Sequence, residues 1–158
     1  MRTETKWALI AAIAVFVVMF LEKMFGLHTP EKFSTWQIVD LVASFLVLIV
    51  VYLLFCKEKR DVDFNGVMTW KQGFWASAVM TLMFIVLGVF VLLLFVQLIS
   101  PEFPKFFSDG TQMSTNGKDP FNNTMHANLW FLVIFGLLFS ILFPLFTRKS
   151  ASRKNAVV

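Results

Sequence analysis

Four apolar stretches without a single Asp, Glu, Lys or Arg run through this chain: Trp7–Leu21, Leu41–Cys56, Phe74–Val96 and Leu129–Phe146. A bilayer core is about 30 Å thick, and a helix rising 1.5 Å per residue needs about 20 residues to cross it. Three stretches come close to that length as they stand. The first is shorter and reaches it if helix continues into its flanks, from about Thr5 to Leu27. The pattern therefore predicts an all-α integral membrane protein, a four-helix transmembrane bundle. Its spans fall at about residues 5–27, 36–56, 70–99 and 127–147, in one domain covering residues 1–158.

The connectors carry the turn signals. Gly26 and Pro30 bracket the first, and Ser34 or Thr35 is placed to cap the second span. The second, Lys57–Lys71, is charged and contains the turn dipeptide Asn65-Gly66. The third, Ser100–Met125, is the longest. Its phenylalanines Phe103, Phe106 and Phe107 are expected in the headgroup layer, and Ser108–Asn123 reads as a mobile loop. The basic tail after Arg148 reads as disordered.

Charge gives an expected orientation. Connectors rich in Lys and Arg stay in the cytoplasm. With the N-terminus inside, Arg2, Lys6, Lys57, Lys59, Arg60, Lys71, Arg148, Lys149, Arg153 and Lys154 are cytoplasmic, and only Lys23, Lys32, Lys105 and Lys118 face the other way. Both termini are thus expected in the cytoplasm. Trp7, Trp70 and Trp75 fall at the inner ends of spans, Trp36 and Trp130 at outer ends, where an indole keeps its ring in lipid and its N–H near water.

Composition agrees: 58% of residues are hydrophobic and 15% charged, against about 25% charged in a soluble domain. The net charge of +4 is read as a topology signal, so no nucleic-acid partner is expected. The lone Cys56 excludes an internal disulfide and is placed as an inert thiol facing lipid. Arg2, Lys6 and the first apolar run resemble a signal peptide, but Glu22-Lys23-Met24-Phe25 offers no small-residue cleavage site, so the segment is read as a retained span.

Inside lipid, helices associate by close packing and hydrogen bonding. The i,i+4 pairs Ala8/Ala12, Gly73/Ser77 and Gly136/Ser140 mark candidate packing faces, and Pro144 is expected to kink or loosen the last span. Polar residues gather at the outer helix ends: Glu22, His28, Asp40, Gln97, His126 and Asn128. Two readings stay open for them. Either they are boundary residues reaching for water, with Glu22 paired to Lys23 or Lys32, or they form a shallow vestibule for cations or protons. No metal site, cofactor or catalytic group is expected: two widely spaced histidines and one cysteine do not make a metal-binding set, and no nucleotide-binding or hydrolase motif is present.

Several segments carry a family resemblance. Leu21-Glu22-Lys23-Met24-Phe25-Gly26-Leu27-His28 resembles the Glu-x3-Gly-Leu-His end of the first helix in a bacterial membrane-protein family catalogued as domain of unknown function 4199. The basic cluster Lys57-Glu58-Lys59-Arg60 followed by Asn65–Phe74, then Ile99-Ser100-Pro101-Glu102-Phe103, and Arg148-Lys149 are similar to its later segments. The resemblance implies a four-span protein of the bacterial inner membrane and no catalytic residue. Taken together, the expectation is a non-enzymatic accessory or scaffold component acting through helix contacts, in lipid, with itself or with other membrane proteins. The alternative is a small transporter or channel for protons or cations that uses the outer polar cluster.

Overall fold

The computed structural model describes residues 2–111 and 119–148. The tail from Lys149, expected to be disordered, and residues 112–118 of the expected mobile loop lie outside the described residues. The chain forms α1 (Thr3–Met24), α2 (Phe33–Glu58), α3 (Trp70–Leu98), α4 (Phe103–Gly110) and α5 (Pro120–Thr147). A 3-10 turn, Pro30–Lys32, leads into α2, and a π-helical turn, Lys59–Asp63, leaves it. All the long helices, α1, α2, α3 and α5, are long and apolar enough to cross a membrane. The molecule is a four-helix transmembrane bundle with one short helix, α4, lying across an end of it.

Helix ends follow local chemistry. Gly26 takes a positive φ of 65° and stops α1; Leu27 N–H then bonds back to the Glu22 carbonyl and Gly26 N–H to that of Lys23. Both bonds satisfy carbonyls that the last turn leaves free. Asn65 and Gly66 both take positive φ, as a tight turn requires. Thr69 caps α3 through a box: its hydroxyl accepts from Gln72 N–H, and Gln72 Oε1 accepts from Thr69 N–H. Asp119 caps α5, with Pro120 next in the first turn. Neither Ser34 nor Thr35 caps α2; the 3-10 turn continues directly into the helix, which starts at Phe33 with Lys32 at the cap position and no side-chain cap bond.

In the bundle α1 packs on α2 and α3, and α5 packs on the same two, so α1 and α5 sit diagonally opposite. The N-terminus of α1, the C-terminus of α2, the N-terminus of α3 and the C-terminus of α5 share one end. Lys6 bonds both oxygens of Glu58 at 2.7 Å there, Trp7 donates to Glu58, and Lys59 lies 2.5 Å from Glu4 and from Asp63. Arg60 reaches the Thr147 carbonyl, and the Trp70 indole donates to the Ile141 carbonyl at 3.1 Å, one turn before Pro144.

Small residues set the helix spacing. Ala8, Ala12, Gly73, Ser77, Gly136 and Ser140 are all buried within the monomer. A Cβ on Gly73 would stand 2.7 Å from Pro144 Cβ, so that glycine is the space into which the proline packs. At mid-bundle a polar chain crosses three helices: Tyr52 Oη to Thr81 Oγ1 at 2.6 Å, and Thr81 Oγ1 to Ser140 Oγ at 2.9 Å. Cys56 is buried against Ser77 at 3.5 Å, which corrects the expectation of a lipid-facing thiol. Leu46, Phe90, Leu94 and Ile134 point outward, giving the exterior the apolar character that lipid requires.

Candidate functional site: a two-carboxylate cavity

At the end away from the α1 N-terminus and the α5 C-terminus, the last turn of α1 and the first turns of α2 face each other. Glu22 is 3% exposed, and its Oε2 accepts from the Trp36 indole N–H at 2.9 Å. Its other oxygen, Oε1, is buried with no hydrogen-bond partner among the described residues. One turn further into α2 stands Asp40, whose Oδ1 accepts from Ser44 Oγ at 3.1 Å, an i,i+4 bond along the helix. The two carboxyls are within electrostatic reach of one another.

Both line a cavity of about 200 Å³ between the helices. Its polar wall is Glu22, Trp36, Asp40, Ser44, Thr124 and Asn128; among the described residues no Lys, Arg or His lines it. Its deeper wall is apolar, with Leu48 from α2, Phe84 from α3 and Leu132 from α5. Phe103 and Phe107 of α4 close the top. α4 is held there by Thr124, whose hydroxyl bonds the Pro104 carbonyl, and by Asn123, which donates to Ser108. An ion pair between Lys23 and Glu102 ties α1 to the start of α4.

His28 sits behind Glu22, away from the cavity wall. The Gly26 turn reverses the chain and buries the imidazole to 7% exposure among Trp36, Phe95, Phe103 and Phe106, with ring centroids 4.9–6.1 Å away. Its Nε2 is 3.6 Å from Glu22 Oε2, too long for a hydrogen bond and an ion pair only when the imidazole is protonated. Among the described residues neither ring nitrogen has a hydrogen-bond partner.

Of the polar residues singled out in the sequence, Glu22, Asp40 and Asn128 meet at this cavity, and His28 backs it. Gln97 and His126 are exposed on the outside of the bundle and do not take part. Glu22 pairs with neither Lys23 nor Lys32, because the Trp36 indole occupies one oxygen and Lys23 turns to Glu102. Trp36 is no lipid anchor: it is 5% exposed, and its N–H is spent on Glu22. The phenylalanines expected in the headgroup layer divide. Phe103 and Phe106 are buried against His28 and Trp36, because Ser100–Gly110 folds back over the helix ends instead of floating in a loop. Ser108–Gly110 and Pro120–Asn123 are helical, which shortens the expected loop from both sides. Ser44, one helical turn after Asp40, was the legible but unused signal for where the cavity leads.

A family model described as a protein of unknown function (DUF4199) matches residues 6–149, nearly the whole chain. The chain belongs to this family. No curated protein and no solved structure matches. Among the described residues no group of three His, Cys, Asp or Glu is arranged to hold a metal ion.

Proposed function

We propose that this protein is a small, non-enzymatic transporter or channel of the bacterial inner membrane that takes a cation or a proton into the Glu22–Asp40 cavity. The observation that carries the reading is that Glu22, whose buried Oε1 has no hydrogen-bond partner among the described residues, lines a cavity together with Asp40 and, among those residues, with no basic side chain. Ionisable groups within membrane helices are costly and conventionally mark ion or substrate paths. Two carboxyls on one lipid-embedded wall favour a positive guest, which supplies both charge and donors.

The orientation that fits has both termini in the cytoplasm. Arg2, Lys6, Lys57, Lys59, Arg60, Lys71 and Arg148 gather at the end that holds the α1 N-terminus and the α5 C-terminus, and Lys23, Lys32 and Lys105 at the end that holds the cavity. The cavity would then lie toward the outer side, beneath α4.

The accessory or scaffold reading, in which the helices contact further copies or other membrane proteins, has less behind it. The small-residue faces that suggested it are occupied inside the monomer, by Pro144 at Gly73 and by Thr81 at Gly136.

Proton and cation flux into proteoliposomes, under a pH gradient and under a voltage, tests the proposal. Wild-type flux that falls at least tenfold in Asp40→Asn and Glu22→Gln is the expected result. An absence of flux from folded wild-type protein under both gradients would remove the transporter reading.

A further inference from the structure

The cavity's shape and wall chemistry specify a guest more narrowly than "cation". Resting on the reading just given, we infer that the ligand is a primary ammonium carrying an apolar tail, with its N–H groups on Glu22 and Asp40 and its tail toward Leu48, Phe84 and Leu132.

Three observations lead there. The first is size. A space of about 200 Å³ corresponds to six or seven waters at roughly 30 Å³ each, and an apolar cavity of about 150 Å³ accommodates benzene. A bare monatomic ion would fill a small part of it. The second is polarity. The carboxyls, Ser44 and Asn128 lie toward one side, while the depth is lined by Leu48, Phe84 and Leu132. An inorganic ion with its water would wet those walls; a hydrocarbon tail keeps them dry. The third is the missing donor. Glu22 Oε1 is a buried acceptor without a partner among the described residues, and such groups are rarely left unsatisfied. A primary ammonium brings three N–H donors and can serve Glu22 and Asp40 together. A quaternary ammonium brings none, so it would leave that oxygen as it is.

The same head chemistry occurs in free alkylamines and in the ethanolamine headgroup of a phospholipid. The phospholipid places a phosphate beside its amine, and among the described residues no Lys, Arg or His lines the cavity to meet it.

The test is saturable binding of radiolabelled n-hexylammonium to the full chain in phosphatidylcholine nanodiscs, with binding to empty nanodiscs subtracted. One site per chain is expected. Unlabelled methylammonium and hexyltrimethylammonium should compete at least tenfold less well than hexylammonium, and n-hexanol not at all. Glu22→Gln and Asp40→Asn should each weaken binding at least tenfold. Ala127→Leu, which puts a larger side chain on the cavity wall without touching a carboxylate, should weaken it too and decides the matter if a carboxylate variant does not fold. Adding phosphatidylethanolamine to the nanodiscs separates the sources: competition assigns the ammonium to a lipid headgroup, no effect to a soluble amine. Equal competition by methylammonium, undiminished binding to folded variants, or no saturable binding overturns the inference. If hexylammonium fails to bind while Asp40-dependent cation flux persists, the ligand class is wrong and the functional reading stands. If both fail, both fall.

Discussion

Gly136→Ala is the substitution on which the packing argument can be tested most severely. A Cβ built at Gly136 falls well inside van der Waals contact of Thr81 Cγ2 on the facing helix. Carbon atoms prefer about 3.5–4.0 Å, so the two groups must part by more than about 1 Å. Thr81 is a poor candidate to yield. Its hydroxyl donates to the Ser77 carbonyl at 2.8 Å and meets Tyr52 at 2.6 Å and Ser140 at 2.9 Å, which fixes its rotamer. Either α3 and α5 separate, or Thr81 rotates and breaks the chain linking α2, α3 and α5. Overpacking of this kind costs about 1–3 kcal/mol. Interhelical hydrogen bonds in membrane proteins average about 0.6 kcal/mol, so losing those to Tyr52 and Ser140 adds about 1 kcal/mol. Alanine returns about 1 kcal/mol through its higher helix propensity. The net expectation is a loss of about 1–3 kcal/mol, read by denaturing-detergent titration or steric trapping in bicelles. The decisive companion is Thr81→Ser, which removes Cγ2 and keeps the hydroxyl. Gly136→Ala on that background should be close to neutral, so the cycle gives a coupling of about 1–3 kcal/mol. Unchanged stability in Gly136→Ala, or a full cost that persists on the Thr81→Ser background, would refute the placement of Thr81 against Gly136.

Other substitutions probe other parts of the molecule. Trp36→Phe removes the indole donor to Glu22 and leaves both carboxylate oxygens without a hydrogen bond, so stability should fall by about 1–3 kcal/mol and ligand binding should weaken; unchanged thermal unfolding would contradict the buried Trp36–Glu22 bond. Tyr52→Phe keeps the ring but loses the bond to Thr81, with an expected cost of about 0.6–1.7 kcal/mol in the same unfolding assay. The Lys6–Glu58 pair at the opposite end is partly exposed, so a Lys6→Met/Glu58→Gln double-mutant cycle should return a coupling of about 0–1 kcal/mol that shrinks in high salt. Cysteines introduced at Asn65 and at Thr111 should label from opposite sides of the membrane, Thr111 from outside; the reverse pattern would invert the proposed orientation.

Read from the chain alone, the fold class was accessible because lipid imposes one simple condition: long segments without charge must be helices that satisfy their own backbone. Trp7–Leu21 and its three counterparts met that condition visibly, and Asn65-Gly66 marked its turn through the positive φ that few other residues take readily. The i,i+4 small pairs were likewise legible, since spacing alone puts them on one helix face, though not what fills the space beside them. The site was legible only in part. Glu22, Asp40 and Asn128 stood out as polar residues near span ends, but so did Gln97 and His126, which point away. Depth along a helix can be counted in residues; the direction in which a side chain faces relative to three other helices cannot. Trp36 shows the limit most clearly. A tryptophan at a span boundary has the same sequence signature whether its N–H meets water or a buried carboxylate, and only the α1–α2 packing assigned it to Glu22. For Phe103 and Phe106 the deciding event was the return of α4 over the helix ends, a long-range contact that an aromatic-rich segment after Pro101 leaves undetermined. The sequence thus determined that helices cross the bilayer and where; the tertiary structure decided which polar groups share a cavity, because that depends on helix rotation and on what closes the end.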